Sequence, residues 1–146
     1  MPNKEELAYL AGLFDGEGCI SITQLWTKEN YQLAQARIVI KMCDRQGIDL
    51  AHRLFGGTVR LQKRKNEKHR DQWAWVLTTR PKIIEFIDAI EPYCRIKTAQ
   101  FEVFRQFNET FTGHNRKGRG SKVPPEVTEK RLHLVAKMQG LKRAEG

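Results

Sequence analysis

No stretch of the sequence approaches the roughly 20 consecutive apolar residues that a bilayer-spanning helix needs, and no cationic, apolar leader opens it. An intracellular protein, cytoplasmic or organellar, is therefore expected, neither secreted nor inserted in a membrane. Cysteine is scarce: Cys19, Cys43 and Cys94 are odd in number and widely spaced, with no CxxC pair and no histidine at zinc spacing. That excludes a disulfide framework and a structural zinc site, and leaves three reduced packing residues. Acid is also short, 17 Asp and Glu against 26 Lys and Arg, a net charge of +9 and a pI near 9.7. Such an imbalance suits a polyanionic partner, with nucleic acid first among them. A chain of 146 residues has room for one domain and can bury a core without staples.

What is present is a period that keeps changing. Asn3 with Glu6 three residues on is a helix start, and Leu7, Leu10, Leu13 and Phe14 follow at helical spacing, predicting a first helix to about Phe14. Ala8, Ala11 and Gly12 fill its other side, and a helix apolar all round is expected to be buried on all sides. From Gly18 the period becomes two. Ile20 and Ile22 alternate with Cys19, Ser21 and Thr23; after a polar turn at Thr27 to Asn30, Ala34, Ala36, Ile38 and Ile40 alternate with Gln35, Arg37, Val39 and Lys41. Ile48, Ala51, Leu54 and Phe55, stopped by Gly56-Gly57, predict a second helix. A second hairpin repeats the pattern, with Val59 and Leu61 inward and Arg60, Gln62 and Arg64 outward, then Trp73, Trp75 and Leu77 toward the core. Pro81 opens a third helix around Ile83, Ile84, Ile87 and Ile90. Pro92 interrupts, and Phe101, Phe104, Phe107 and Phe111 mark a fourth.

The result is an α+β domain over residues 1–112, a basic glycine-rich linker at 113–124 and a C-terminal helix within 125–146. Helices cover one face of four antiparallel strands, and the arginines lie on the other. Several local motifs carry little. Asp15-Gly16-Glu17-Gly18 lacks the downstream oxygen ligands of a calcium loop. Gly113 to Gly120 lacks the Gly-Lys-Ser/Thr of a phosphate loop, and His114-Asn115 is a loop pair without acidic neighbours. The basic run Lys63, Arg64, Lys65, Lys68, His69 and Arg70 extends the arginine face and suits phosphate contact.

The stretch Leu10-Ala11-Gly12-Leu13-Phe14-Asp15-Gly16-Glu17-Gly18 is different in kind, because a buried helix would deliver two carboxylates to the edge of a core, where an unpaired charge is costly. It resembles the LAGLIDADG signature of homing endonucleases in its leucines, small residues, both acids and closing glycine. The helix and hairpin order agrees from about Asn3 to Phe111, with one copy of the motif. Ile90-Glu91-Pro92-Tyr93-Cys94-Arg95-Ile96-Lys97 resembles the family's Pro-Tyr/Phe-Leu segment before an active-site lysine.

The resemblance implies an αββαββα fold with a four-stranded, saddle-shaped antiparallel sheet and an additional C-terminal helix. It implies a homodimer through the signature helices, approached at Ala8, Ala11 and Gly12, and Mg²⁺ held by Glu17 and the Gly16 carbonyl. Asp15 is then chiefly structural, and Lys97 and Lys41 are catalytic candidates. The implied partner is double-stranded DNA, cut in both strands across the minor groove to leave short 3′ overhangs. Ser21, Thr23, Gln35, Arg37, Arg60, Gln62 and Arg64 are the expected base-reading residues, since paired hydrogen bonds let Arg read guanine and Gln read adenine. The alternative is a non-cleaving DNA-binding or intron-splicing member of the same fold.

Overall fold

A computed structural model describes residues 2–26, 32–63, 71–111 and 124–145. The turn expected at Thr27 to Asn30, Arg64 and the basic turn after it, His114-Asn115 and nearly all of the 113–124 linker lie outside the described residues. In chain order the elements are α1 (Lys4–Glu17), β1 (Gly18–Trp26), β2 (Gln32–Met42), α2 (Arg45–Phe55), β3 (Thr58–Gln62), β4 (Gln72–Leu77), α3 (Arg80–Ile90), a 3-10 turn at Glu91–Tyr93, α4 (Thr98–Glu109) and α5 (Pro125–Glu145). The strands form one four-stranded sheet in the order β1-β2-β4-β3, giving the α+β helix and hairpin succession that the periodicity predicts. No helix among the described residues is long and apolar enough to cross a membrane. The chain divides into two compact units, residues 1–20 with 37–98, and residues 21–36 with 99–146.

The first unit starts from a capping box. The Glu6 N–H donates to Asn3 Oδ1 at 2.8 Å, and the Asn3 N–H donates to Glu6 Oε1 at 3.2 Å. The second Glu6 oxygen accepts from Arg53 of α2 at 2.7 Å. The Asn3 backbone donor first, and Arg53 second, lower the Glu6 carboxyl below its ordinary pKa. α1 continues one turn past the expected end at Phe14, because Gly16 takes helical geometry with nothing crowding it. Leu10, Ala11 and Phe14 are buried, but Ala8, Tyr9 and Gly12 are exposed, so within one chain the helix is not buried on all sides.

Period-two alternation is realised in the strand register. Ile40 pairs with Trp75 and Trp75 with Val59; Met42 pairs with Trp73 and Trp73 with Leu61, all on one face, but Leu61, expected inward, is 42 % exposed because it lies on the edge strand β3. Trp75 is fully buried, and its Nε1–H donates to the Gly56 carbonyl at 2.7 Å. Trp73 is half-buried, and the Arg45 guanidinium lies 4.1 Å from its ring centroid. Phe86 of α3 gathers Phe14, Phe55 and Trp75 at centroid separations of 5.1 to 5.5 Å. Phe86 was absent from the isoleucine stripe expected inward on this helix, yet it is the hub of the unit's core. Gly56 and Gly57 both have positive φ, and a Cβ on Gly57 would stand 2.6 Å from the Val76 carbonyl oxygen.

In the second unit Phe101, Phe104 and Phe107 of α4 are fully buried, and Phe111, just past the helix end, packs edge-on to Phe107 at 5.2 Å. Arg131 of α5 is 4 % exposed; its Nε donates to Thr110 Oγ1 at 2.9 Å and one terminal nitrogen to the Thr110 carbonyl at 3.3 Å. Its guanidinium also stacks 3.9 Å from the Phe111 ring centroid. With Leu134 and Met138 buried below it, Arg131 starts a stripe along α5 at spacings of three and four.

Candidate functional site

The last turn of α1 carries Asp15 and Glu17, and two residues along an α-helix is a rotation of about 200°. The two acids therefore leave the helix on opposite sides. Asp15 is half-buried and turns toward the segment before α4: Oδ2 accepts from the Arg95 N–H at 2.8 Å, and Oδ1 from the Ile96 and Lys97 N–H groups at 3.1 Å each. Three successive backbone donors on one carboxylate fix the loop that presents Lys97, itself half-buried. Next to it the Cys94 thiol sits 3.7 Å from the Ala11 carbonyl oxygen as donor, and burial, then the Asp15 charge, push its pKa up to about 12. Cys94 is thus a neutral pin between the signature helix and the lysine loop.

Glu17 is exposed, and among the described residues its carboxylate has no hydrogen-bond or ion-pair partner. The Gly18 N–H takes the Phe14 carbonyl, and Gly16 lies past that bond, in the turn where helix carbonyls lose their own donors and the helix dipole favours a cation. A carboxylate beside such carbonyls is a hard-oxygen donor set of the kind Mg²⁺ takes. No three His, Cys, Asp or Glu side chains gather among the described residues, so one chain offers Glu17 and backbone oxygen here, and a metal would draw its remaining ligands from elsewhere. The glycine that closes the signature is required sterically: a Cβ on Gly18 would be driven into the Phe14 ring.

In the first unit the sheet face opposite the tryptophans carries a transverse row, Lys41 paired with Ala74 and Ala74 with Arg60. Gln62 pairs with Gln72 on the same face, and Arg37, Lys41, Arg60 and Gln62 are all exposed. In the second unit Thr23 and Gln35 are exposed and Ser21 is half-buried, its hydroxyl accepting from Lys142 Nζ at 3.1 Å. Arg64 lies outside the described residues. Ala11, expected at a partner's helix, is instead fully buried in its own chain; the exposed small residues of α1 are Ala8 and Gly12. Gly12 and Gly16 have open space where a Cβ would go. Sequence reasoning missed Gly47, whose absent Cβ lets Leu13 and Tyr9 of α1 approach α2. It also missed the Lys142 contact, for which a residue 121 positions from its partner gives no local signal.

The LAGLIDADG endonuclease family model matches residues 10–111. Comparison with curated proteins finds no match. Among solved structures, the homing endonuclease I-CvuI in complex with a DNA target in the presence of Mg has a TM-score of 0.73 at 21% identity, covering 95% of this chain and 85% of that one. The homing endonuclease I-TnaI has a TM-score of 0.67 at 22% identity, covering 98% and 96%. I-GzeII, in complex with its DNA target, has a TM-score of 0.69 at 17% identity, covering 89% of this chain but 43% of that one. At these identities the structures speak for the fold, and the family match for descent: this chain belongs to the LAGLIDADG homing endonuclease family.

Proposed function

We propose that this chain is a divalent-metal-dependent, site-specific DNA endonuclease that acts as a homodimer on a long, nearly palindromic duplex site. The observation that carries the reading is the division of labour at the end of α1. Asp15 is consumed by three backbone N–H groups, while Glu17, on the opposite side of the same turn, keeps an unengaged carboxylate. A merely solvated helix end needs no such arrangement, and a tied acid next to a free one suits a scaffold plus a ligand. Glu17 with the Gly16 carbonyl would hold Mg²⁺, which supplies an activated water and stabilises the leaving oxygen. Lys97, placed by Asp15, contributes positive charge against the phosphate, and Lys41 orients the hydrolytic water. Arg37, Arg60, Gln62 and Arg64, with Thr23 and Gln35, read base edges from the major groove.

A second copy is part of the proposal. One chain brings one signature and one free Glu17, whereas a double-strand cut needs two; the chain also fills only 43% of I-GzeII, so two copies make up a comparable length. Exposed Ala8 and Gly12 with the open space at Gly12 and Gly16 leave α1 able to meet its equivalent closely. The test is cleavage of a randomised duplex library by wild type with Mg²⁺, by wild type with Ca²⁺, and by Glu17→Gln with Mg²⁺. Cutting is expected in the first case alone, with a loss of at least about 100-fold in Glu17→Gln, and specific binding in all three. Equal cutting by Glu17→Gln overturns the assignment of Glu17; binding without cutting by wild type in Mg²⁺ identifies a non-cleaving member of the fold.

A further inference from the structure

The strand β1 is an edge strand of the sheet and, like β4 inside it, is uncharged. From Gly18 to Trp26 it carries no charged residue, whereas β2 has Arg37 and Lys41 and β3 has Arg60. Its inward residues Ile20 and Ile22 are buried, so Cys19, Ser21 and Thr23 define its outer face. Onto that face the C-terminal helix delivers a cation: Lys142 Nζ donates to Ser21 Oγ at 3.1 Å. The partner is a neutral hydroxyl, and among the described residues no carboxylate pairs with the ammonium group. The placement is built in. Arg131, clamped on Thr110 and Phe111, fixes the start of α5, Leu134 and Met138 bury its middle, and Lys142 follows Met138 by four residues on the same stripe.

We propose that α5 is a phosphate-binding arm of the DNA interface, in which Lys142 contacts the duplex backbone alongside β1 and Ser21 is its positioning residue rather than a base reader. This rests on the DNA-binding reading above and gives α5 a task within it. A lysine acts on phosphate as a point charge, and one lone pair of the Ser21 hydroxyl is already spent on it. The favourable position of Lys142 in the last turn of α5 accounts for helix stability only, and that role would not alter how binding responds to salt.

The experiment measures the affinity of the full chain for a labelled DNA duplex of arbitrary sequence across a salt series in Ca²⁺. Each phosphate contact contributes a slope of about 0.9 to the fall of log K with log salt. Lys142→Gln, which keeps a donor for Ser21 but loses the charge, is expected to lower the slope by about 0.9 per bound chain. Lys142→Arg is expected to restore it, and Lys137→Gln, an equal charge change at an exposed position elsewhere on α5, to leave it unchanged. Ser21→Ala keeps the slope while weakening binding by about two- to ten-fold, the reach of one lost hydrogen bond at a half-buried site. A Lys142→Gln slope equal to wild type, or one matched by Lys137→Gln, overturns the inference alone. A wild type that does not bind the duplex overturns the DNA-binding reading and this inference with it.

Discussion

Asp15 holds three backbone donors with one carboxylate, and the segment it holds is the one that carries Lys97. Charge-assisted hydrogen bonds are individually stronger than neutral ones, but Arg95 and Ile96 are exposed, so water can take over some donors when the carboxylate goes. Asp15→Ala is accordingly expected to cost about 2 kcal/mol of folding stability, read as a lower midpoint in urea with an unchanged m-value. Retained stability would mean the loop is held by other contacts. The same variant removes two causes of the raised Cys94 pKa, the Asp15 charge and its hydrogen bond to the thiol. Because the folded thiol titrates near 12 and the unfolded one near 9, its neutral form contributes stability below pH 9 that is lost as pH rises toward 12. In Asp15→Ala that alkaline loss is smaller, since only burial and the weaker influence of Glu91 still oppose the thiolate. The carboxylate at position 15 thus acts twice, as an acceptor for the lysine loop and as a charge that keeps the neighbouring thiol protonated.

Between elements, packing is decided by where side chains are missing. Gly57 stands at positive φ with the Val76 carbonyl where its Cβ would be, so Gly57→Ala meets both backbone strain and a clash against β4. A loss of about 2 to 4 kcal/mol is expected by chemical denaturation, above the usual range for a surface substitution; a loss under about 1 kcal/mol would show that β3 and β4 can part locally at little cost. This glycine pair was legible in the sequence as a helix stop, since α2 ends where its apolar stripe does. The strand faces were legible too, because Ile38, Ile40, Trp75 and Leu77 follow a strict period of two. Other features were not. The apolar stripe of α1 stops at about Phe14 in the sequence, yet helical geometry at Gly16 is allowed, and the helix runs to Glu17. Phe86 was hidden among isoleucines of the same polarity, and its role depends on Phe14, Phe55 and Trp75 arriving from three other elements. The two acids were visible at once, but their opposite tasks follow only once both are known to lie on one helical turn.

For the molecule as a working unit, the decisive question is why α1 leaves small residues exposed. Gly18, Gly47 and Gly57 each have a neighbour that a Cβ would strike, so the chain itself explains them. Among the described residues Gly12 has none within 4 Å of where a Cβ would stand, and glycine inside a helix costs about 1 kcal/mol relative to alanine. In the proposed homodimer, close approach of a second α1 would account for such a position. Gly12→Leu separates the two accounts. In an isolated chain it is expected to raise stability by up to about 1 kcal/mol through helix propensity, because its side chain enters open space. In a homodimer the same side chain stands between the helices and drives dissociation. Sedimentation equilibrium of wild type and variant, each with and without duplex DNA in Ca²⁺, is expected to give a dimer mass for wild type and a monomer mass for free Gly12→Leu, with a thermal midpoint for the variant monomer no lower than that of diluted wild type. A variant with the wild-type mass would place the dimer contact elsewhere on the surface, and a wild type that stays monomeric even on DNA would remove the shared-helix arrangement altogether. Cleavage then follows the mass: if two free Glu17 carboxylates must meet across α1, Gly12→Leu loses double-strand cutting in proportion to its loss of dimer, while each chain keeps its fold.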